Sequence, residues 1–369
     1  MPIPATLTLA MASGPETPTT SNQKDIAKAL GLTQSTVSKA LKNAAEIGVS
    51  TRKLVQETAE KMGYQPNPMA TGLAHFKHTS KMKPVQAALA WLNAWPKPQQ
   101  LRSNRAFDLY WQGASQAALG LGYRLDEFIL NAQMRPHRLV QILLSRGIHG
   151  LIIPPVPGDS HVNWSDFAWE HFSAVRFSRV VEGLPRFHLV TAAQSANAAL
   201  AVREILARGY RRIGYVGCDR TGWTFLGGYL QEQITALSKA ARLPPFLYDQ
   251  TVNDAAFATK EVATRMTGQF ISWLNKWKPD AILTESTFLA PLLKNAKLRV
   301  PADVAVATLS VGDLPFDAGI YQNPEEIGRV SALVIVSVLE NNERGVPPIP
   351  RDILVHGTWV DGTSLPPRW

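Results

Sequence analysis

Cysteine is almost absent from this chain. The single Cys218 in 369 residues excludes an intramolecular disulfide and points to a reducing compartment. No stretch approaches the roughly 18 consecutive apolar residues that a membrane-spanning helix needs. There is no G-x-G-x-x-G after the first strand-like run and no Walker pattern, so chemistry through a nucleotide cofactor gains little support. Nucleophile elbows and Ser-His-Asp arrangements are missing as well, and the eight His and scattered carboxylates show no metal-ligand spacing. His75 and His78 are read as surface residues rather than ligands. These absences predict no enzyme, no catalytic residue, no cofactor and no metal.

What remains is globular in character, with 45% hydrophobic and 18% charged residues, and the length calls for about two to three folding units. The formal charge of +9 is unevenly spread: residues 21–83 carry ten Lys/Arg against four Asp/Glu. Such a local excess is what phosphate binding by counterion release requires. The first twenty residues are rich in Thr, Pro, Ala and Ser and are expected to form a disordered arm. Pro4 to Ala12 has the look of a signal peptide but lacks a basic n-region, and Met11 is an alternative start because none of the elements below uses a residue before Ser21.

The basic segment reads as three short helices. Asn22 caps the first, Asp25 sits at its electropositive first turn, Ile26 and Leu30 share a face, and Gly31 ends it. Thr33 caps a second helix running to Leu41, with Val37 and Leu41 inward and Gln34, Ser35, Ser38 and Lys39 outside. Two short helices joined by a glycine-containing turn are the helix-turn-helix pattern, and the outward set suits base edges and phosphates. A third helix, about 51–62, is expected to supply Leu54, Val55, Ala59 and Met62 to the core. Beyond it, Asn67 is a good N-cap and Pro68 suits the first helical position, yet about eight residues containing Gly72 are too few to hold a helix alone in water. That segment is expected to fold only on a partner.

In Asp25-Ile-Ala followed by Gly31, Thr36-Val-Ser-Lys39, Thr51-Arg52, Gly63-Tyr64-Gln-Pro-Asn67 and Ala70-x-x-Leu73, the chain resembles the lactose-repressor (LacI/GalR) family. The resemblance implies a hinge helix ordered by operator DNA, with Leu73 as a wedge that enters the minor groove and kinks the duplex.

From Pro84 onward, strand-like runs alternate with helical stretches, which predicts parallel sheets with helices on both faces. Here too the chain resembles the family's effector domain, in Gly120-Leu-Gly-Tyr123, Leu143-Leu-Ser-Arg-Gly-Ile-His-Gly-Leu-Ile-Ile153, Ala207-Arg-Gly-Tyr-Arg-Arg-Ile-Gly-Tyr-Val-Gly217, Leu298-Arg-Val-Pro-Ala-Asp-Val304 and Asn323-Pro-Glu-Glu-Ile-Gly328. The implied fold class is α/β: a helix-turn-helix domain (21–65), a hinge and linker (66–83), and a two-lobed, periplasmic-binding-protein-like sensor (84–369). Lobe one is expected at about 84–190 and 322–345, lobe two at about 191–321 and 346–369.

Ligands of such sheets bind at the carboxyl ends of the strands, between the lobes. The candidates there are Asn93, Trp95, Ser178, Arg179, Thr221, Trp223, Phe225, Glu285, Ser286 and Thr287, with Trp111 and Trp164 close by in sequence. Phe225 stands where the family usually has Arg, Ser286-Thr287 where it has Asn-Asp, and Ser310-Val311 where it has Asp-Asp, which argues against an ordinary hexose. The chain is therefore read as a cytoplasmic transcription regulator, a repressor, that binds a pseudo-palindromic operator in double-stranded DNA as a homodimer. Its effector is a small molecule, a carbohydrate or related metabolite. Gln34, Ser35 and Lys39 are expected to read bases, Thr36, Ser38, Thr51 and Arg52 to anchor phosphates, and Asn67 and Leu73 to act from the hinge. A solute-binding protein for transport is the alternative on the same two-lobed fold.

Overall fold

The computed structural model describes residues 22–41, 44, 46–62, 64, 87–130, 134–157, 160, 162–177, 183–219, 222–249 and 257–368. The expected arm and hinge helix lie outside these residues, as do the candidates Asn67, Leu73, Ser178, Arg179 and Thr221. The chain divides into two compact units, one holding the N-terminal helices and one holding both sheets.

The head contains α1 (Gln23–Leu30), α2 (Gln34–Leu41) and α3 (Val49–Lys61). Asn22 and Asp25 form a capping box: the Asn22 side chain accepts from the Lys24 amide at 2.9 Å, while Asp25 accepts from the Asn22 amide at 2.8 Å. Gly31 closes α1 at φ +65°, a conformation that glycine adopts without penalty. Thr33 Oγ1 accepts from the Thr36 amide at 3.1 Å and so starts α2. The core of this unit is Ile26, Ala27, Val37, Ala40, Val55 and Ala59, its alanines letting three short helices approach closely. Leu54, expected inside, is 51% exposed; it precedes Val55, and α3 is too short to bury two adjacent faces against so small a bundle.

The sensor holds two six-stranded sheets. Strands β1 (Ala87–Asn93), β2 (Tyr123–Ile129), β3 (Gly150–Ile153), β4 (Ser173–Arg176), β5 (His188–Ala192) and β11 (Asp352–Val355) form the first, in the order β11-β5-β4-β3-β1-β2 and all parallel. Strands β6 (Ile213–Cys218), β7 (Phe246–Tyr248), β8 (Ala281–Thr284), β9 (Ala305–Thr308), β10 (Gly319–Tyr321) and β12 (Thr358–Val360) form the second, in the order β12-β10-β9-β8-β6-β7, with only β12 antiparallel. The helices are α4 (Arg105–Gly120), α5 (Pro136–Ser145), α6 (Gln194–Ala207), α7 (Trp223–Ala236), α8 (Lys260–Trp277), α9 (Leu289–Asn295) and α10 (Pro324–Glu340).

β11 pairs with β5 from Asp352↔Leu189 to Val355↔Ala192, so the chain returns to the first sheet after α10 and crosses over only at 356–357. The expected second-lobe segment 346–369 is thus shared between lobes. Its strands are three or four residues long and hold no fully buried residue, so nothing but their pairing marks the lobe to which each belongs. Each sheet carries a core on both faces. In the first lobe α4 and α10 cross in near backbone contact: a Cβ on Gly113 would lie 1.9 Å from the Glu325 carbonyl oxygen, and one on Gly328 2.1 Å from that of Tyr110.

Candidate DNA-reading surface and effector face

On the head, Gln34, Ser35 and Lys39 are exposed along α2, while Ser38 and Thr36 are partly covered. The Thr36 hydroxyl is shared with Thr33 at 2.8 Å, so it builds the helix start as well as facing out. Lys39 Nζ lies 2.8 Å from Glu46 Oε1, in the turn that follows α2. Thr51 and Arg52 are half-buried in the first turn of α3, whose N-cap Gly48 makes no side-chain hydrogen bond. The first-turn amides of α3 therefore have no capping side chain in front of them, the arrangement that suits a phosphate oxygen.

In the sensor, Asn93 ends β1 and is fully buried. Its Nδ2 donates to the Pro98 carbonyl and to Glu127 Oε1, both at 2.9 Å, and its Oδ1 accepts from the Trp95 amide at 3.1 Å. Trp95 in turn donates from Nε1 to the Pro155 carbonyl at 2.7 Å. Both residues thus shape the 94–98 loop. Around them stands an aromatic wall. Trp95 packs on Phe107, and Phe107 on Tyr110. Tyr110 stacks on Phe177 with centroids 4.9 Å apart, and Trp91 lies beside Phe177. Trp111 sits edge-on to Trp91 with the Arg102 guanidinium 4.9 Å from its ring, whereas Trp164 is buried in the opposite core with Phe167 and Trp169.

The second lobe offers a half-buried acid. Glu285, just beyond β8, accepts from the Cys218 amide at 3.0 Å, and the Tyr215 hydroxyl lies 3.4 Å from the same oxygen. A Cβ on Gly217, in β6, or on Gly222, just before α7, would come within 2.4 or 2.1 Å of that oxygen, so the backbone stands against the carboxyl at both glycines. Burial pushes the Glu285 carboxyl up to about 7, against the opposing hydrogen bonds from Cys218 and Tyr215. Ser286 is buried and builds the turn, donating its amide to Thr284 Oγ1 and accepting from the Phe288 amide. Thr287 is exposed, and Trp223, first in α7, is 57% exposed. Phe225 departs from expectation. Its ring is buried in the core with Tyr215 and Tyr229, because an aromatic in a polar side chain's place is drawn into the apolar side of the helix.

The two lobes touch at Asp313. The Ala106 amide, in the first turn of α4, donates to Asp313 Oδ1 at 3.2 Å, and Ser310 Oγ holds the other Asp313 oxygen. Gly312 at φ +94° lets the Arg105 guanidinium come so close that a Cβ there would lie 1.7 Å from Nη1. The space enclosed by Arg105, Tyr110, Asp313 and Tyr321 is about 10 Å³, room for no more than a single water. Asp313 lies just beyond the Ser310-Val311 pair noted in the sequence; Arg105 carried no signal, because its partner lies some two hundred residues away. Among the described residues no group of three His, Cys, Asp or Glu is placed to hold a metal ion, and no helix is long and apolar enough to cross a membrane.

Comparison with known proteins bears on both units. The model of bacterial regulatory proteins of the lacI family matches residues 23–67, and that of the periplasmic binding protein-like domain matches residues 202–365. The HTH-type transcriptional regulator GalS of Salmonella typhimurium is 25% identical over 227 residues, a match spanning 59% of this chain and 61% of that relative. The HTH-type transcriptional regulator MalR of Streptococcus pneumoniae is 21% identical over 341 residues, 90% of this chain and 97% of the relative. Over the head alone, catabolite control protein A of Priestia megaterium is 41% identical across 56 residues, 15% of this chain and 17% of that protein. Among solved structures, a complex of the transcriptional regulator CelR with cellobiose superposes with a TM-score of 0.53 at 16% identity, covering 93% of this chain and 99% of that one. A regulatory protein of LacI family from Chloroflexus aggregans gives 0.54 at 19% identity, covering 76% and 99%. At these identities the structures speak for the fold.

Proposed function

The chain belongs to the lacI family of bacterial regulatory proteins, and from that premise we propose that it is a DNA-binding transcriptional repressor controlled by a small molecule held between the sensor lobes. The observation that carries this reading is the α1–turn–α2 unit, whose second helix keeps Gln34, Ser35 and Lys39 in solvent over a core formed by the opposite faces of the three helices. A transport protein on the two-lobed fold would have no use for such a head.

In this reading Gln34, Ser35 and Lys39 face base edges, while Ser38, Thr36, Thr51 and Arg52 hold phosphates. A homodimer presents two heads to neighbouring half-sites of one operator. Asn67 caps the hinge and Leu73 wedges into the minor groove. The effector sits between the aromatic wall of lobe one, reached by Trp95 and Phe107, and the acid-bearing rim of lobe two at Glu285, Thr287 and Trp223, with Ser178, Arg179 and Thr221 proposed as further contacts. Its binding would change the lobe angle, which the Asp313–Ala106 contact holds here, and so the spacing of the heads. The protein works in the cytoplasm and catalyses no reaction.

Selection of binding sites from a random DNA pool with the full-length protein tests this. A two-fold-related motif that disappears when residues 1–83 are removed is the expected outcome. Equal retention of all sequences, or binding undiminished in the truncated protein, would refute it.

A further inference from the structure

Of the four acids in the basic segment 21–83, Asp25 is spent on the α1 capping box, Glu57 and Glu60 are on α3, and Glu46 alone touches a proposed base reader. A carboxylate on a surface that must approach phosphates is a liability unless something in the complex satisfies it. Lys39 and Glu46 are both largely in water, side chains 49% and 60% exposed, so their pairing contributes little and is given up at little cost. Alone, the Lys39 ammonium is a point charge without the planar fork of arginine, and it would accept any acceptor in the groove. With Glu46 2.8 Å away, the surface presents a cluster of donors beside an acceptor that can only accept.

We propose that Lys39 and Glu46 read one G·C base pair as a unit, the ammonium on guanine N7 and O6 and the carboxylate on the cytosine N4 amine. The major-groove edge of G·C runs acceptor, acceptor, donor, which matches the pair in order. On A·T the donor lies between two acceptors and the thymine methyl adjoins them, so the ammonium loses one acceptor and the carboxylate meets the wrong neighbour. The ion pair thus opens onto DNA without leaving either charge unpaired. This assignment rests on α2 being the recognition helix, as proposed above.

The test is site selection from a random pool by the full-length wild type, Lys39→Ala, Glu46→Ala, Glu46→Gln and the double alanine variant. Wild type is expected to select G·C strongly at one position of each half-site. Lys39→Ala and Glu46→Ala should each relax that same position roughly ten-fold or more, and the double variant should lose little beyond either single change. Glu46→Gln, whose amide keeps one acceptor, should retain part of the preference. Glu46→Ala leaving that position unchanged, or altering a different one, overturns the shared reading. So does a uniform gain in affinity for all sequences, which is what a merely repelling charge would give. If Lys39→Ala also changes no position, the recognition-helix assignment falls with it; if Lys39→Ala shifts a position that Glu46→Ala leaves alone, only the pairing fails.

Discussion

Among the described residues of the head six are buried, three of them alanine, and every one proposed to touch DNA lies outside that set. In the sensor four clusters fill both faces of two sheets, and residues at the strand ends such as Asn93 and Ser286 are buried with their polar groups spent on the protein itself. The contrast follows from size. A bundle of three short helices has one inward stripe per helix, so the outward stripes are free for function and a local sequence pattern names them. A two-sheet domain can bury polar side chains in networks, and whether a residue at a strand end faces ligand or protein depends on partners far away in the chain.

The largest effect should come from breaking the small core while leaving the large one alone. Val55→Asp places an unpaired charge among Ile26, Val37 and Ala40, at a cost of about 4 kcal/mol or more. DNA binding should vanish, and calorimetry should show the sensor transition unmoved. A sensor transition displaced by several degrees would mean that the two units do not fold independently.

Next, Gly328→Ala should cost the sensor about 3 kcal/mol, because its new Cβ meets the Tyr110 carbonyl at 2.1 Å and backbone yields less than a side chain would. Chemical denaturation of the full chain measures this, and an unchanged midpoint would refute the close α4–α10 crossing. Here the head should be indifferent.

Glu285→Gln probes the sensor's half-buried acid. With its carboxyl raised to about 7 from an ordinary 4.5, the folded protein holds a proton that the unfolded chain has released, so wild-type stability falls as pH rises across that window. Glutamine removes this loss and should stabilise the sensor by up to about 3 kcal/mol at pH 8, with no gain near pH 4. Melting temperatures of both proteins at the two pH values decide it, and equal curves would place the carboxyl in solvent.

The smallest effect belongs to the head's first cap. Asn22→Ala removes the acceptor for the Lys24 and Asp25 amides and should cost about 1 kcal/mol, seen as weaker DNA binding at every sequence and no change in the sensor. A change in base preference instead would put Asn22 among the readers.

Much of this protein is determined within short stretches of sequence. Asn22, Asp25, Gly31 and Thr33 set the limits of α1 and α2 through hydrogen bonds and a φ of +65° that involve only neighbours. Apolar residues four apart within each helix place Ile26, Val37 and Val55 inside, and the alternation of apolar runs with helices announces largely parallel sheets. Other features needed the folded chain. Leu54 faces solvent because the bundle offers its helix a single inward face, and β11 belongs to lobe one because Asp352 to Val355 meet the edge of β5. Glu285 is raised because the backbone at Gly217 and Gly222 closes against its carboxyl, and Asp313 links the lobes because Ala106 arrives there from another sheet's connection. Hydrogen bonds within a turn and side-chain period along a helix act over a few residues, so they are written locally. Pairing at a sheet edge, desolvation and contact between lobes depend on which distant segments come together, and that is decided when the cores close.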